Sequence, residues 1–185
     1  MLITDYLFEN VKPIWDAYLE HDFIMDMGNG NLCKDKFKDY LIQDYLYLKE
    51  YAKVYAMALV KCENIEQMKF CQNSINGILE DESATHIWYL KNFGEKIEEL
   101  EDYKIKEANE NYTSYMKSIA LTGDLLDTMV SVLPCAWSYY YIGKKLKETY
   151  KENLEDNFYK SWIESYSCEG YEQVARTSIE FVNTL

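Results

Sequence analysis

Between Asp35 and Lys61 the chain places Phe37, Tyr40, Leu41, Asp44, Leu48, Tyr51, Ala52, Tyr55 and Leu59 at steps of three and four residues. That spacing keeps side chains on one face of an α-helix and is incompatible with the two-residue repeat of a strand. A long helix with such a face has to be covered, and the rest of the chain offers only more helices. No alternating strand pattern and no two-residue hairpin signal occurs, and only two prolines and seven glycines interrupt the helical periodicity. Thr4 or Asp5 caps a first helix running to about His21, with Trp15, Tyr18 and Leu19 on its apolar stripe and Pro13 able to bend it. Met27–Asn31 is a turn cluster. Asn64 caps a third helix that breaks near Gly77 and ends near Phe93, and the acidic stretch from Gly94 to Glu110 reads as a loop with a short helical piece. Further helices are predicted over Asn111–Leu121, from Asp124 to about Tyr150, over Asn157–Tyr166 and over Glu169–Leu185. The expectation is all-α: a single domain over residues 1–185, built as a bundle of about seven or eight helices.

Charge narrows the partners. A net charge of −13 lacks the basic footprint that nucleic acid or an anionic membrane requires. No run of about eighteen apolar residues exists to span a bilayer. The opening residues lack the basic-then-apolar order of a signal peptide. Five cysteines, at 33, 62, 71, 135 and 168, form an odd set without C-x-x-C, which suits thiols in a reducing cytoplasm. Eighteen tyrosines give the interior aromatic bulk that still needs hydrogen-bond partners.

Three places could carry chemistry. In Ser131–Leu146, Pro134 lies inside a helical run, so the helix should kink and the carbonyl of Val130 loses its usual partner. Cys135 follows directly, and Tyr139 lies one turn on along the same face. The thiol is either an inert core cysteine or a nucleophile needing help from another helix. Asp44, Tyr47 and Tyr51 share a face of the long helix. Asp44 is a solvated carboxylate if that face is exposed, and must be paired if it is buried. Glu82 and His86, spaced four residues apart near Glu80 and Asp81, suggest a metal-binding turn or, more simply, an acidic turn or a packing pair. With His21 as the one other histidine, a di-metal or haem site is poorly supplied, and His21 reads better as a helix-end residue. No G-x-S-x-G, P-loop or dinucleotide fingerprint occurs.

Several spaced segments together resemble the TenA/thiaminase II family. They are Phe37-Lys-Asp-Tyr-Leu-Ile-Gln-Asp-Tyr-Leu-Tyr-Leu48 with Tyr51-Ala-Lys53, Asn111-Tyr-Thr-Ser-Tyr-Met116, Leu133-Pro-Cys-Ala-Trp-Ser-Tyr-Tyr140 with Ile142-Gly143, and Tyr159-Lys-Ser-Trp-Ile-Glu-Ser-Tyr166. The resemblance implies a haem-oxygenase-like helical bundle without haem, assembled as a homotetramer. It implies a site for an aminopyrimidine or thiamin and needs no cofactor or metal. The implied reaction hydrolyses 4-amino-5-aminomethyl-2-methylpyrimidine to the hydroxymethyl compound and ammonia, with slower cleavage of thiamin. Carried over by position, Cys135 adds to the pyrimidine ring and Asp44 binds its amino edge. Tyr47, Tyr139 and Tyr166 line or stack on the ring, and Tyr112 supplies a hydroxyl. The family continues into a further helix whose Y-E-x-x-F-W type motif contributes a glutamate for proton transfer. No such motif occurs here, and Glu169, Glu172 and Glu180 do not match its position. The expected activity is therefore aminopyrimidine hydrolysis in thiamin salvage. The alternatives are a pyrimidine-binding or regulatory protein with little turnover and a metal-dependent oxidase on the same bundle.

Overall fold

The computed structural model describes residues 1–80 and 84–185, and for residues 81–83 only the course of the backbone. Among the described residues the chain forms α1 (Ile3–Leu19), α2 (Asp22–Asn29), α3 (Lys34–Leu59), α4 (Ile65–Asn76), α5 (Ser83–Asn92), α6 (Glu107–Thr122), α7 (Leu125–Thr149), α8 (Lys160–Ser167) and α9 (Glu169–Thr184), with no strand. A π-helical segment, Gly77–Glu82, joins α4 to α5, and a 3₁₀ segment spans Ile97–Asp102. The all-α expectation holds. Nine helices stand where seven or eight were expected, because α2 is a helix of its own and the break at Gly77 separates α4 from α5. None of these helices is long and apolar enough to cross a membrane among the described residues.

The helices divide into two units, Cys33–Val132 and Met1–Leu32 with Leu133–Leu185, and the division falls within α7. In the first unit α4, α5 and α6 all pack on α3. The predicted stripe of α3 is buried at Phe37, Leu41, Leu48, Tyr51, Ala52 and Tyr55, and so are Ile42, Leu46 and Val54 on other faces. A helix covered on most of its circumference is the centre of its unit rather than a surface element. Asn64 caps α4 as expected, its side chain accepting from the Gln67 amide at 3.0 Å. Gln43 pins the connection before α6: its Nε2 donates to the Lys104 carbonyl at 3.0 Å, and its Oε1 accepts from the Lys106 amide at 2.8 Å. Helix α6 starts at Glu107 rather than Asn111, with Glu107 and Glu110 in a first turn where the helix dipole favours acids.

In the second unit α1 packs on α2 and α9, and α8 on α9. Thr4 and Asn183 join the ends of α1 and α9, the Thr4 hydroxyl donating to Oδ1 at 3.0 Å and Nδ2 donating back at 2.8 Å. Pro13 lies inside α1, and Phe8, Trp15, Trp137 and Tyr141 form one aromatic cluster, with Phe8 stacked on Trp137 at 5.2 Å. The first helix stops at Leu19, short of the expected His21, because His21 opens α2: its Nδ1 accepts from the Phe23 amide at 3.1 Å. The turn expected at Met27–Asn31 shrinks to Gly30, whose φ of 77° ends α2 in the left-handed region that glycine tolerates. Asn157 then clamps that end, donating through Nδ2 to the carbonyls of Met27 and Gly28 at 2.9 Å each. Its Oδ1 accepts from the Tyr159 amide at 2.8 Å, and α8 starts only at Lys160 rather than Asn157.

Candidate functional site

Asp44 lies on α3, 8% exposed, on the buried side of the two alternatives its sequence context left open. An unpaired carboxylate there would cost several kcal/mol, on the order of a buried charge. Two side chains meet it. The Tyr40 hydroxyl, one turn earlier on α3, donates to Asp44 Oδ2 at 2.9 Å. His86 Nε2 from α5 lies 2.7 Å from the same oxygen, and His86 is fully buried. Asp44 Oδ1 receives no hydrogen bond among the described residues. Neither partner was singled out from sequence. Tyr40 stood in the predicted stripe four residues before Asp44, which is the one available signal. The four-residue spacing pairs His86 with Glu82, which lies outside the described residues.

Tyr47 is buried on α3 and sits in an aromatic row. Its ring is 5.3 Å from that of Tyr51, with the planes 23° apart, and 5.8 Å from that of Tyr112 on α6, with the planes 8° apart. The hydroxyls at either end of the row turn to α7. Tyr51 donates to the Val132 carbonyl at 3.1 Å and Tyr112 to the Ser131 carbonyl at 3.4 Å. These carbonyls stand just before Pro134, where a missing backbone N–H weakens the helical ladder. The helix continues as one element through Pro134. Sequence reasoning anticipated an orphaned carbonyl at Val130; the phenols serve its neighbours.

Cys135 is 7% exposed on α7. One turn on, Tyr139 packs against Tyr166 of α8 at 4.7 Å between ring centroids and against Trp162 at 6.0 Å. Trp162 and Tyr166 are themselves 4.6 Å apart, and Tyr171 of α9 meets Tyr166 edge-on at 4.8 Å. The approach of α8 to α7 depends on Gly143. A Cβ at that position would stand 2.8 Å from Tyr166 Cβ and 2.9 Å from its carbonyl carbon, closer than real contacts allow. The expected ring-lining residues Tyr139 and Tyr166 are therefore brought together, with Trp162 as an aromatic neighbour that sequence reasoning had not assigned. Asp44, Tyr47 and Tyr112 belong to the other unit, where they are joined through α3 and α6.

The remaining candidates have other roles. His21 caps α2, and among the described residues no three His, Cys, Asp or Glu side chains are arranged to hold a metal ion. Cys62 and Cys71 approach to 3.7 Å between sulfurs, and no cysteine forms a disulfide among the described residues. Burial, with the Cys62 hydrogen bond and charge adding to it, pushes the Cys71 thiol up to about 12, which marks it as an unreactive core cysteine. Glu50 sits between Lys53 and Lys117, 2.5 Å from each. Burial pushes its carboxyl up, but the two lysines outweigh burial and hold it below the usual range.

A model of the TENA/THI-4/PQQC family matches residues 8–185. The chain is similar to the aminopyrimidine aminohydrolase of Helicobacter pylori, 35% identical over 185 residues that cover all of this chain and 85% of that protein. It is 37% identical over 178 residues to the aminopyrimidine aminohydrolase of Halalkalibacterium halodurans, covering 96% of this chain and 79% of the relative. A solved domain of unknown function with a heme oxygenase-like fold, from Shewanella denitrificans OS217, superposes with a TM-score of 0.76 at 17% identity, covering 100% of this chain and 80% of that one. At that identity the match speaks for the fold alone.

Proposed function

We propose that this chain, which belongs to the TENA/THI-4/PQQC family, hydrolyses an aminopyrimidine of the 4-amino-5-aminomethyl-2-methyl type to its hydroxymethyl counterpart and ammonia. The resemblance read from the four sequence segments is borne out at the level of family and fold. The reaction is carried over from relatives that bear the name aminopyrimidine aminohydrolase. Thiamin cleavage, a homotetrameric assembly and a cytoplasmic setting belong to the same proposal.

One observation of the structure carries the reading furthest. Asp44 is a buried carboxylate whose Oδ2 accepts from the Tyr40 hydroxyl and lies 2.7 Å from His86 Nε2, while Oδ1 receives no hydrogen bond among the described residues. An aminopyrimidine edge offers the matching donor in its exocyclic amine. Cys135 acts as the nucleophile. Its thiolate forms a C–S bond to a ring carbon, and the ring takes up the electron pair. Those electrons then expel the amine from the methylene carbon, the nitrogen taking a proton as it leaves. Water adds to the exposed methylene, the C–S bond breaks, and the ring regains its aromaticity with the thiolate restored. The balance is one water consumed and one ammonia released. Tyr139 and Tyr166, with Trp162 beside them, supply apolar ring faces suited to a flat heterocycle; Tyr47 is assigned to the ring as well, and Tyr112 supplies a hydroxyl.

The test is ammonia release from the aminomethyl compound, followed in parallel with thermal stabilisation by the hydroxymethyl product. The proposal expects both. Stabilisation without release would replace the hydrolase by a pyrimidine-binding protein, and neither would remove the aminopyrimidine reading.

A further inference from the structure

Cys62 and Cys71 take no part in the reaction proposed above, and they are placed unequally. Cys62 lies in the turn after α3, half-buried, with its sulfur donating to the Ala58 carbonyl at 3.4 Å. Cys71 lies inside α4 and is fully buried. The two are nine residues apart in the chain, and their sulfurs approach to 3.7 Å, which is van der Waals contact. A disulfide holds its sulfurs about 2.05 Å apart, so the pair has to close by roughly 1.7 Å. Cys62 can supply that movement, because it sits in a connection between helices rather than inside one. We infer that Cys62 and Cys71 form an oxidative modification site, a thiol pair that a peroxide converts into a reversible disulfide tying α4 to the end of α3.

The inequality of the thiols sets the order of events. Of the two, only Cys62 meets solvent, so its thiolate attacks the peroxide. The O–O bond breaks, Cys62 becomes a sulfenic acid, and the departing oxygen leaves as water. Burial, with the Cys62 hydrogen bond and charge adding to it, holds the Cys71 thiol well above its ordinary range and keeps it inert toward reagents in solution. Oxidation of Cys62 removes the thiol behind the two lesser causes. Contact does the rest, since a nucleophile already against its target reacts as though at very high concentration. The Cys71 sulfur attacks the Cys62 sulfur, the S–S bond forms, and the expelled hydroxide takes the Cys71 proton and leaves as water. In balance, two thiols lose two electrons and two protons, and one peroxide becomes two waters. A pair that merely packs would leave Cys62 to climb from sulfenic to sulfinic acid.

Peptide mapping reads the bond directly. Trypsin cuts after Lys61, Lys69 and Lys91, so Cys62 and Cys71 leave on separate peptides, residues 62–69 and 70–91, unless a disulfide joins them. The folded chain is exposed to hydrogen peroxide, blocked with iodoacetamide and digested without reductant. The expected product is 62–69 joined to 70–91, two hydrogens lighter than the separate peptides and released by dithiothreitol. Cys71→Ala removes the second thiol, and under the same exposure should hold about tenfold more sulfinic acid at Cys62 than the wild-type chain. In Cys62→Ser, Cys71 should stay a thiol. A wild-type chain without the cross-link overturns the inference, whether Cys62 remains a thiol or advances to sulfinic acid, and so does a bond from Cys62 to Cys33 or Cys168 in place of Cys71. The wild-type map does not depend on any variant folding. Neither result touches the hydrolase reading, no step of which uses these thiols.

Discussion

Asp44 and Cys135 are buried to nearly the same extent, 8% and 7% exposed, but their neighbourhoods are built from different interactions. Around Asp44 the structure uses polar contacts: a phenol hydrogen-bonded to one carboxylate oxygen with an imidazole nitrogen 2.7 Å from it, and phenols on the carbonyls before Pro134. Along the face that carries Cys135 and Tyr139 it uses shape: aromatic rings edge to face, and a glycine that admits a neighbouring helix. Hydrogen bonds fix the positions of atoms, which a recognition group needs. Ring packing fixes volume and excludes water, which suits a group that must form and break a bond to a flat heterocycle. The two regions should therefore fail differently when altered.

The largest expected effect is at the polar end. Asp44→Ala should abolish thermal stabilisation by the hydroxymethyl-pyrimidine, while circular dichroism shows the helical content intact, since alanine favours the helix. Its own stability should fall by about 1–3 kcal/mol, because the Tyr40 hydroxyl loses its acceptor. Undiminished ligand stabilisation in this variant would remove the carboxylate from the site. Next comes the packed end. Gly143→Ala should cost about 1–3 kcal/mol by chemical denaturation, since its Cβ falls on the Tyr166 main chain rather than on a flexible side chain. Ligand binding should weaken with it through displacement of Tyr166. A stable variant would show that α8 is not held where the close approach puts it.

Smaller effects sharpen the contrast away from either group. Glu50 is held ionised by Lys117 and Lys53 against its burial, so its carboxyl lies below the usual range. A depressed carboxyl stabilises the fold fully above its unfolded-state value and loses that contribution as the pH falls through its folded value. Glu50→Gln should therefore be less stable than wild type by about 1 kcal/mol at neutral pH, with the gap closing in acid. A gap that persists in acid would point to packing instead. The smallest effect is kinetic. With its thiol pushed up to about 12, Cys71 holds very little thiolate at pH 8 and should be the last cysteine alkylated by iodoacetamide, well after exposed Cys33 and Cys168. Peptide mass spectrometry over a time course decides it, and labelling of Cys71 at the rate of Cys33 would refute its burial.

Features decided by neighbouring residues were legible in the sequence. The stripe of α3, the Asn64 cap and the pairing of Cys135 with Tyr139 on one face each follow from three- and four-residue spacing. Features decided by distant residues were not. The His86–Asp44 contact joins α5 to α3, and nothing in the local pattern around His86 points to a carboxylate so far away along the chain. The Asn157 clamp on α2 is of the same type, which is why the start of α8 was placed too early. His21 misled differently: histidine near a helix end suggests a charged group at a C-terminus, but here a ring nitrogen accepts at an N-terminus. The Ser131 and Val132 carbonyls were beyond reach too, because a proline announces a weakened ladder without saying which side chains will repair it.

The central claim is that the Cys135 thiol does covalent work on a bound aminopyrimidine. Cys135→Ser replaces one atom with little change in volume, so it separates chemistry from packing. Ammonia release from 4-amino-5-aminomethyl-2-methylpyrimidine, measured for the wild-type chain and Cys135→Ser side by side, tests the claim directly. The account predicts release by the wild-type chain, a fall of about a thousandfold or more in the variant, and unchanged stabilisation of both by the hydroxymethyl product. Equal rates of ammonia release from the two proteins would contradict it.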